Sequence, residues 1–411
     1  CIAGSRLSGR LGVPTLFIFI MLGMLFGSDG IFKIPFGNFA LAEQVCSVAL
    51  IFIMFYGGFG TRWSEAKPVA GRSILLSSAG VVLTAFLTGL FCHLVLKMAL
   101  MEGMLLGAVL GSTDAASVFS ILRSRKLNLK YGTASMLELE SGSNDPFAYM
   151  MTVILLSAMT GSVSGGSAVL LLIRQLAFGL LTGAAVAWLV TWLLKRYAFY
   201  GEGFDTIFVF AAAIISYALA SQIGGNGYLS VYLTGIILGN QELKNQKALV
   251  GFFDAFTGMM QMLLFFLLGL LAFPSQMPSI VLPAIAIALF LTFVARPAAV
   301  GLLLAPSKPP IGQYLVISWA GLRGAASIVF AIMATLSEGY MKYDIFHIVF
   351  CVVLFSIIFQ GSLLPKVAEK CDMIDNSTDV MRTFSDYTGD MQIQFVQLPI
   401  GDNHPWKNRK I

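Results

Sequence analysis

The stretch SMLELESGSNDPF, residues 135–147, places Glu138, Glu140 and Asp145 within a run that otherwise reads as buried in a membrane. On a helix turning about 100° per residue, Ser141 and Asp145 stack on one face as i and i+4, and Glu140 and Asn144 stack on the next strip. Glu140 and Asp145 then point roughly 140° apart, so they are expected to do different work. Pro146 has no amide hydrogen to donate and crowds the carbonyl of Gly142, which frees a backbone oxygen one turn from Asp145. Asp145, Ser141, Asn144 and that carbonyl make an oxygen-rich patch, the chemistry that suits a hard cation. Burial favours the protonated form of a carboxylate and a bound cation favours the ionised form, so one carboxylate can hold either a proton or a metal ion. Asn144 supplies oxygen without titrating, so it shapes the patch but carries no proton.

Other ionisable residues fall in apolar runs: Asp114, Arg174, Arg296 and Arg323. Charge at bilayer depth is costly and marks a partner or a pathway. Asp114 reads either as part of the ion site or as an answer to the positive end of an opposing half-helix. Glu140 is expected to pair with Arg323, since each would otherwise be an isolated buried charge. Arg174 and Arg296 read as structural or interfacial, Glu138 as a surface or vestibule residue, and His93 and His347 as interfacial. The cysteines Cys1, Cys46, Cys92, Cys351 and Cys371 show no metal-ligand spacing and read as small apolar residues.

These residues need an apolar scaffold, and the composition supplies one. The 411 residues are 57% hydrophobic and 11% charged, against about 25% charged in an ordinary soluble domain. The fold class is therefore all-α and polytopic. Twelve candidate spans follow, at about 14–27, 40–57, 73–96, 103–122, 133–160, 168–194, 206–222, 227–240, 251–273, 280–304, 313–336 and 344–363. Loop charge supports the alternation. With residues 1–13 on the cytoplasmic side, that side holds Arg6, Arg10, Arg62, Lys67, Arg72, Arg123, Arg125, Lys126, Lys130, Lys195, Arg196, Lys244, Lys247, Lys308, Lys366 and Lys370. The opposite side holds only Lys33, Lys97 and Lys342. This is a strong positive-inside bias, and the net charge of +5 belongs to loops rather than to a nucleic-acid surface. Residues 1–366 read as the membrane domain, and the polar residues 367–411 as a cytoplasmic linker and the start of a further module.

GSTDAASVF (111–119) and GLRGAASIVF (321–330) share a glycine, then Ala-Ala-Ser, then apolar residues and a phenylalanine. They lie on the fourth and eleventh spans, which an odd separation orients oppositely. A shared motif on opposed helices marks an inverted repeat with interrupted helices near the midplane.

With GSTDAASVFSIL (111–122), LELESGSNDPFA (137–148), FFLLGLL (265–271), ARP (295–297) and SWAGLRGAASIV (318–329) in order, the chain resembles the NhaP-type monovalent cation:proton antiporters. The likeness is closest to bacterial potassium/proton antiporters with a cytoplasmic C-terminal regulatory module. The resemblance implies an NhaA/NhaP-like fold of thirteen helices, twelve of them visible here, built as two inverted six-helix repeats around a linker helix. It implies a homodimer in the cell membrane, with a core that moves against a dimerisation scaffold, and a cytoplasmic tail. It also implies cation and proton binding at Asp145, with Asn144, Ser141, Thr113 and Asp114 around it and Glu140–Arg323 as a structural ion pair. An Asn-Asp pair implies electroneutral exchange of one K+ or Na+ for one proton. The membrane domain then needs no cofactor, and a nucleotide or other ligand is expected only on the C-terminal module. One departure stands out: Tyr56, in FYGGFGT, occupies a position where relatives often carry an acid.

The chain is thus expected to be an antiporter and not an enzyme. Two other classes fit the sequence less well. A cation channel commonly builds its filter around an oligomer axis, which an internal inverted repeat does not provide. An intramembrane aspartyl protease would use Asp114 and Asp145, but its glycine-x-glycine-aspartate pattern is absent.

Overall fold

The computed structural model describes residues 15–375 apart from 126, 163–164, 197–202, 244, 338 and 340. Cys1, Lys126, Lys244 and the tail beyond residue 375 lie outside the described residues. Helices occupy each of the twelve apolar stretches: α1 (Thr15–Phe26), α2 (Phe39–Gly60), α3 (Ala70–Leu94), α4a (Leu100–Val109) and α4b (Ala115–Ser124), α5 (Thr133–Met159), α6 (Gly165–Arg196), α7 (Phe204–Gln222), α8 (Gly227–Gly239) and α9 (Gln246–Leu271). The tenth, α10, runs Met277–Phe290, passes a π turn at Leu291–Ala295 and continues through Arg296–Leu304. The eleventh is split into α11a (Ile311–Trp319) and α11b (Ala325–Leu336). The twelfth, α12, runs Ile345–Phe355, passes a second π turn at Ser356–Gln360 and ends with Gly361–Lys370. Seven of the described helices are long and apolar enough to cross a membrane. The last helix runs to Lys370, four residues past the boundary expected at 366.

Asparagine side chains start two of the helices. Asn38 accepts the Leu41 amide at the head of α2, and Asn226 accepts the Leu229 amide at the head of α8. Asn226 also donates to the carbonyl of Pro146 at 2.9 Å, tying α8 to α5. α5 remains helical through Pro146.

The helices pack mainly in two sets. α1, α2, α6, α7, α8 and α9 lie against one another, and α3, α4, α5, α10, α11 and α12 form the second set. In the first set, α2 and α8 touch backbone to backbone. A Cβ on Gly235 would collide with the Phe55 carbonyl, and one on Gly58 with the Tyr232 carbonyl, so glycine at both positions permits the approach.

The second set contains the two broken helices. α4 is interrupted over residues 110–114 and α11 over 320–324. In both, the shared Ala-Ala-Ser triplet opens the second half, at Ala115 and at Ala325. The breaks meet: the Asp114 amide donates to the Leu322 carbonyl at 2.7 Å. Gly324, the counterpart of Asp114 in the second copy, faces the Asp114 side chain, and a Cβ there would run into that side chain's Cβ and carboxylate. Gly324→Ala is therefore expected to overpack the crossing and lower stability by about 1–3 kcal/mol. Thermal unfolding of the purified protein in detergent measures it; an unchanged midpoint would mean that the two segments are not in contact.

Candidate functional site at the helix crossing

A helix end leaves backbone groups without partners, and inside an apolar bundle these must be answered. At the start of α4b, Asp114 accepts from the Ser117 amide at 3.1 Å and from its hydroxyl at 2.5 Å. This is an N-cap with the carboxylate at the positive end of its own half-helix, rather than of an opposing one. At the end of α4a, the buried Arg323 guanidinium donates to the carbonyls of Leu110 and Ser112. Its cationic head thus meets the negative end of α4a, and its backbone amide is held by the Ser356 hydroxyl at 3.0 Å, in the π turn of α12.

The extended segment between α4a and α4b is fastened to α5. The Ser141 hydroxyl donates to the Thr113 carbonyl at 2.7 Å and accepts from the Ala115 amide at 2.9 Å. The Asn144 side chain accepts from the Thr113 amide at 3.2 Å and donates to the Thr113 hydroxyl at 2.6 Å. Both residues named for an ion patch therefore spend these hydrogen bonds on the backbone and side chain of the broken helix. The Ser112 hydroxyl donates to the Asp145 carboxylate. Ser112 was not singled out from the sequence, and its place directly before Thr113-Asp114 was the available signal.

A cavity of about 320 Å³ reaches this point. Its wall includes Ser112, Thr113, Asp114, Glu138, Ser141 and Asp145. Asn144 and Glu140 are not in that wall. The wall holds four carboxylates (Asp114, Glu138, Asp145 and Asp254) and, among the described residues, no lysine, arginine or histidine. Asp145 itself is only 6% exposed. Such a site concentrates cations.

The expected ion pair needs correction. Glu140 bonds Arg296, not Arg323, at 2.5 Å, and both side chains are buried. The reason is the break in α11, which presents Arg323 to the orphan carbonyls of α4a. Arg296 follows the π turn of α10 and reaches α5 instead. Arg296 is thus structural, as one of its two expected readings had it. Arg174 is also structural: it donates to the Ile223 carbonyl at 2.9 Å and lies over the Phe178 ring. His347 stands in the first turn of α12. It is buried, accepts the Phe273 amide on Nε2 at 3.0 Å and so presents a protonated Nδ1 to Asp344 at 2.6 Å. His93 is exposed, with Nδ1 2.9 Å from the Met98 carbonyl. Cys46 and Cys92 are buried free thiols, and Cys351 and Cys371 are partly buried.

A family model for the transmembrane sodium/hydrogen exchanger matches residues 1–370. The chain belongs to the sodium/hydrogen exchanger family. Among curated members, the K(+)/H(+) antiporter NhaP of Alkalimonas amylolytica is 37% identical over 368 residues, which are 89% of this chain and 64% of that protein. The K(+)/H(+) antiporter NhaP2 of Shewanella oneidensis is 36% identical over 370 residues, with the same coverage. The chain thus spans a little under two thirds of the length of these exchangers. The structure of the sodium proton antiporter MjNhaP1 from Methanocaldococcus jannaschii superposes with a TM-score of 0.78, at 23% identity, over 90% of this chain and 96% of that one. The exchanger fold, with its opposed interrupted helices, is therefore the fold of this chain.

The two arginines can be told apart by double-mutant cycles. Glu140→Gln or Arg296→Gln alone strands a buried charge and is expected to cost about 3–5 kcal/mol, much of it recovered in the double variant. Glu140→Gln combined with Arg323→Gln is expected to show a weaker coupling than the Glu140–Arg296 cycle, since these two charges interact without bonding. The reverse pattern would restore the Glu140–Arg323 pairing.

Proposed function

We propose that this chain is the membrane domain of a secondary antiporter that exchanges a monovalent cation, K+ or Na+, for a proton by alternating access. The carrying observation is Asp145: a buried carboxylate on a largely apolar cavity that also carries Asp114, Glu138, Asp254 and several hydroxyls, bonded by the Ser112 hydroxyl and by no cationic side chain among the described residues. A carboxylate so placed needs a positive partner, and either a proton or a hard cation can serve. Competition between them for one site couples the two flows. The curated relatives' names, K(+)/H(+) antiporters, favour potassium, and the structural neighbour's title names sodium.

Access from one side fits the packing around Asp145. The amide of Trp63, just after α2, bonds the Asn240 side chain after α8, and the Ser73 hydroxyl at the start of α3 bonds the Met136 carbonyl at the start of α5. The cavity's outer residues Tyr56, Gly60 and Glu138 lie toward this end, which also carries Arg62, Lys67 and Arg72. By the positive-inside rule it is the cytoplasmic end. One turn beyond Asp145 in the other direction, Tyr149 packs with Tyr228 and Phe330, ring centroids 5.1 and 5.8 Å away. These rings close the opposite side, which suits a carrier rather than an open pore.

In this reading Asp145 carries the ion or the proton, Ser112, Thr113, Ser141 and Asp114 offer oxygens near it, and Asn144 fixes the unwound segment. Glu140–Arg296 and Arg323 brace the crossing. The protomer works as a homodimer in the cell membrane, with the tail cytoplasmic and leading into a regulatory module that takes a nucleotide or other ligand. With Asn144 neutral, one cation replaces one proton and transport is electroneutral.

Asp145→Asn is expected to abolish proton flux driven by K+ or Na+ gradients in proteoliposomes, while the protein stays folded and monodisperse. Exchange that survives would remove Asp145 from its role. Asn144→Asp tests the stoichiometry: exchange should become sensitive to an imposed membrane potential, and continued indifference to potential would defeat the charge argument.

A further inference from the structure

One wall of the cavity belongs to α9, in the helix set that does not contain Asp145. Asp254, Thr257 and Gln261 line it at i, i+3 and i+7, the spacing of a single helix face. Asp254 is exposed to the cavity, and one of its carboxylate oxygens accepts from the Tyr56 hydroxyl of α2 at 2.9 Å. Thr257 is the less ordinary residue. It is 6% exposed, and its hydroxyl oxygen is buried with no hydrogen-bond partner. Thr152, Thr292 and Thr335, also within helices, return theirs to the carbonyl four residues back, at 2.7–2.9 Å; Thr88 and Thr191 leave theirs without a partner too, but neither lines this cavity. In a cavity wall, three residues along the helix from the Asp254 carboxylate, a hydroxyl without such a bond is free to turn toward a ligand.

Depth places this face on the way to Asp145. The start of α9 and the start of α5 lie at the same end of the bundle, since α9 follows α8 closely and α8 ends beside Trp63. Asp254 is eight residues into α9, about 12 Å from that end, and Asp145 is twelve residues into α5, about 18 Å from it. A cation entering the cavity therefore passes Asp254 first.

We propose that Asp254 and Thr257, with Gln261 beyond them, form a second monovalent-cation station. It receives the ion from the cytoplasmic side and hands it to Asp145 across the boundary between the two helix sets. Tyr56 holds the Asp254 carboxylate at the station without neutralising it. The donors are a carboxylate, a hydroxyl and an amide oxygen, a hard-oxygen set that suits K+ or Na+. This inference rests on the antiport reading and adds a route to it.

The test is the cation dependence of proton flux in proteoliposomes of the full chain, with K+ and Na+ as probes in turn. Thr257→Val removes the hydroxyl and keeps the shape. It is expected to raise the half-saturating cation concentration about threefold. Asp254→Asn is expected to raise it about tenfold, with the maximal rate changing much less. An impermeant salt should shrink the Asp254→Asn effect by screening, and Asp254→Glu should restore wild-type dependence. A purely structural role would move the melting temperature and the maximal rate and leave the salt dependence alone. Unchanged half-saturation in both variants, or an equal effect at all ionic strengths, overturns the station while Asp145 keeps its role. A wild-type protein without cation-driven proton flux would instead overturn the antiport reading itself.

Discussion

The structure turns on one constraint: two helices are broken inside an apolar bundle, and the backbone groups released there must find partners within the protein. Each break ends one helix and begins another, leaving up to four carbonyls and four amides unpaired. Hydrocarbon cannot satisfy them, at several kcal/mol for each failure. The two breaks are placed so that each answers part of the other. Asp114 caps α4b and lends its amide to Leu322, while Arg323 takes the carbonyls at the end of α4a. Ser141 and Asn144 on the unbroken α5 take the Thr113 carbonyl and the amides of Thr113 and Ala115. The polar residues that give the sequence its ion-site appearance are thus, in large part, the ones that make a broken helix tolerable.

This double use explains how the sequence could be read and where the reading stopped. The helices were legible because length and apolarity act locally along the chain. The repeat was legible because Ala-Ala-Ser stands at the same place in both copies, Ala115 and Ala325. Asp145 could be singled out because a carboxylate beside Pro146 in an apolar run has few structural uses. The partner of Glu140 was not legible. Two buried arginines were available, and the choice depended on where the break in α11 aims Arg323, a matter of backbone direction that no local pattern encodes. The contribution of α9 was hidden for a related reason. Asp254 sits near the start of a long helix and looks like an end-of-helix surface charge until α2 brings Tyr56 to it.

The two helix sets are fitted together differently. α2 and α8 meet through glycines with their backbones in contact, which leaves little room for sliding within that set. The crossing, in contrast, is a mesh of hydrogen bonds that ties α4, α5, α11 and α12 into a second rigid unit. Asp145 belongs to the second unit and the Asp254 face to the first, with the cavity between them. A displacement of one unit against the other would change access to Asp145 without breaking the bonds that hold the crossing, and that separation is what alternating access requires.

The charge count at the crossing then singles out one residue. Glu140 is balanced by Arg296 in a buried pair. Asp114 and Arg323 are opposite in sign and each is set against the helix end that complements it. With these four charges settled, Asp145 is the carboxylate at the crossing left with hydroxyl company alone. Asp145 therefore has no fixed countercharge among the described residues at the crossing, and a proton or a mobile cation can supply one. A fixed lysine or arginine beside Asp145 would occupy that role permanently and leave no place for a mobile cation. The two buried arginines at the crossing are engaged elsewhere, Arg323 on the carbonyls of Leu110 and Ser112 and Arg296 on Glu140, so neither supplies Asp145 with a fixed countercharge.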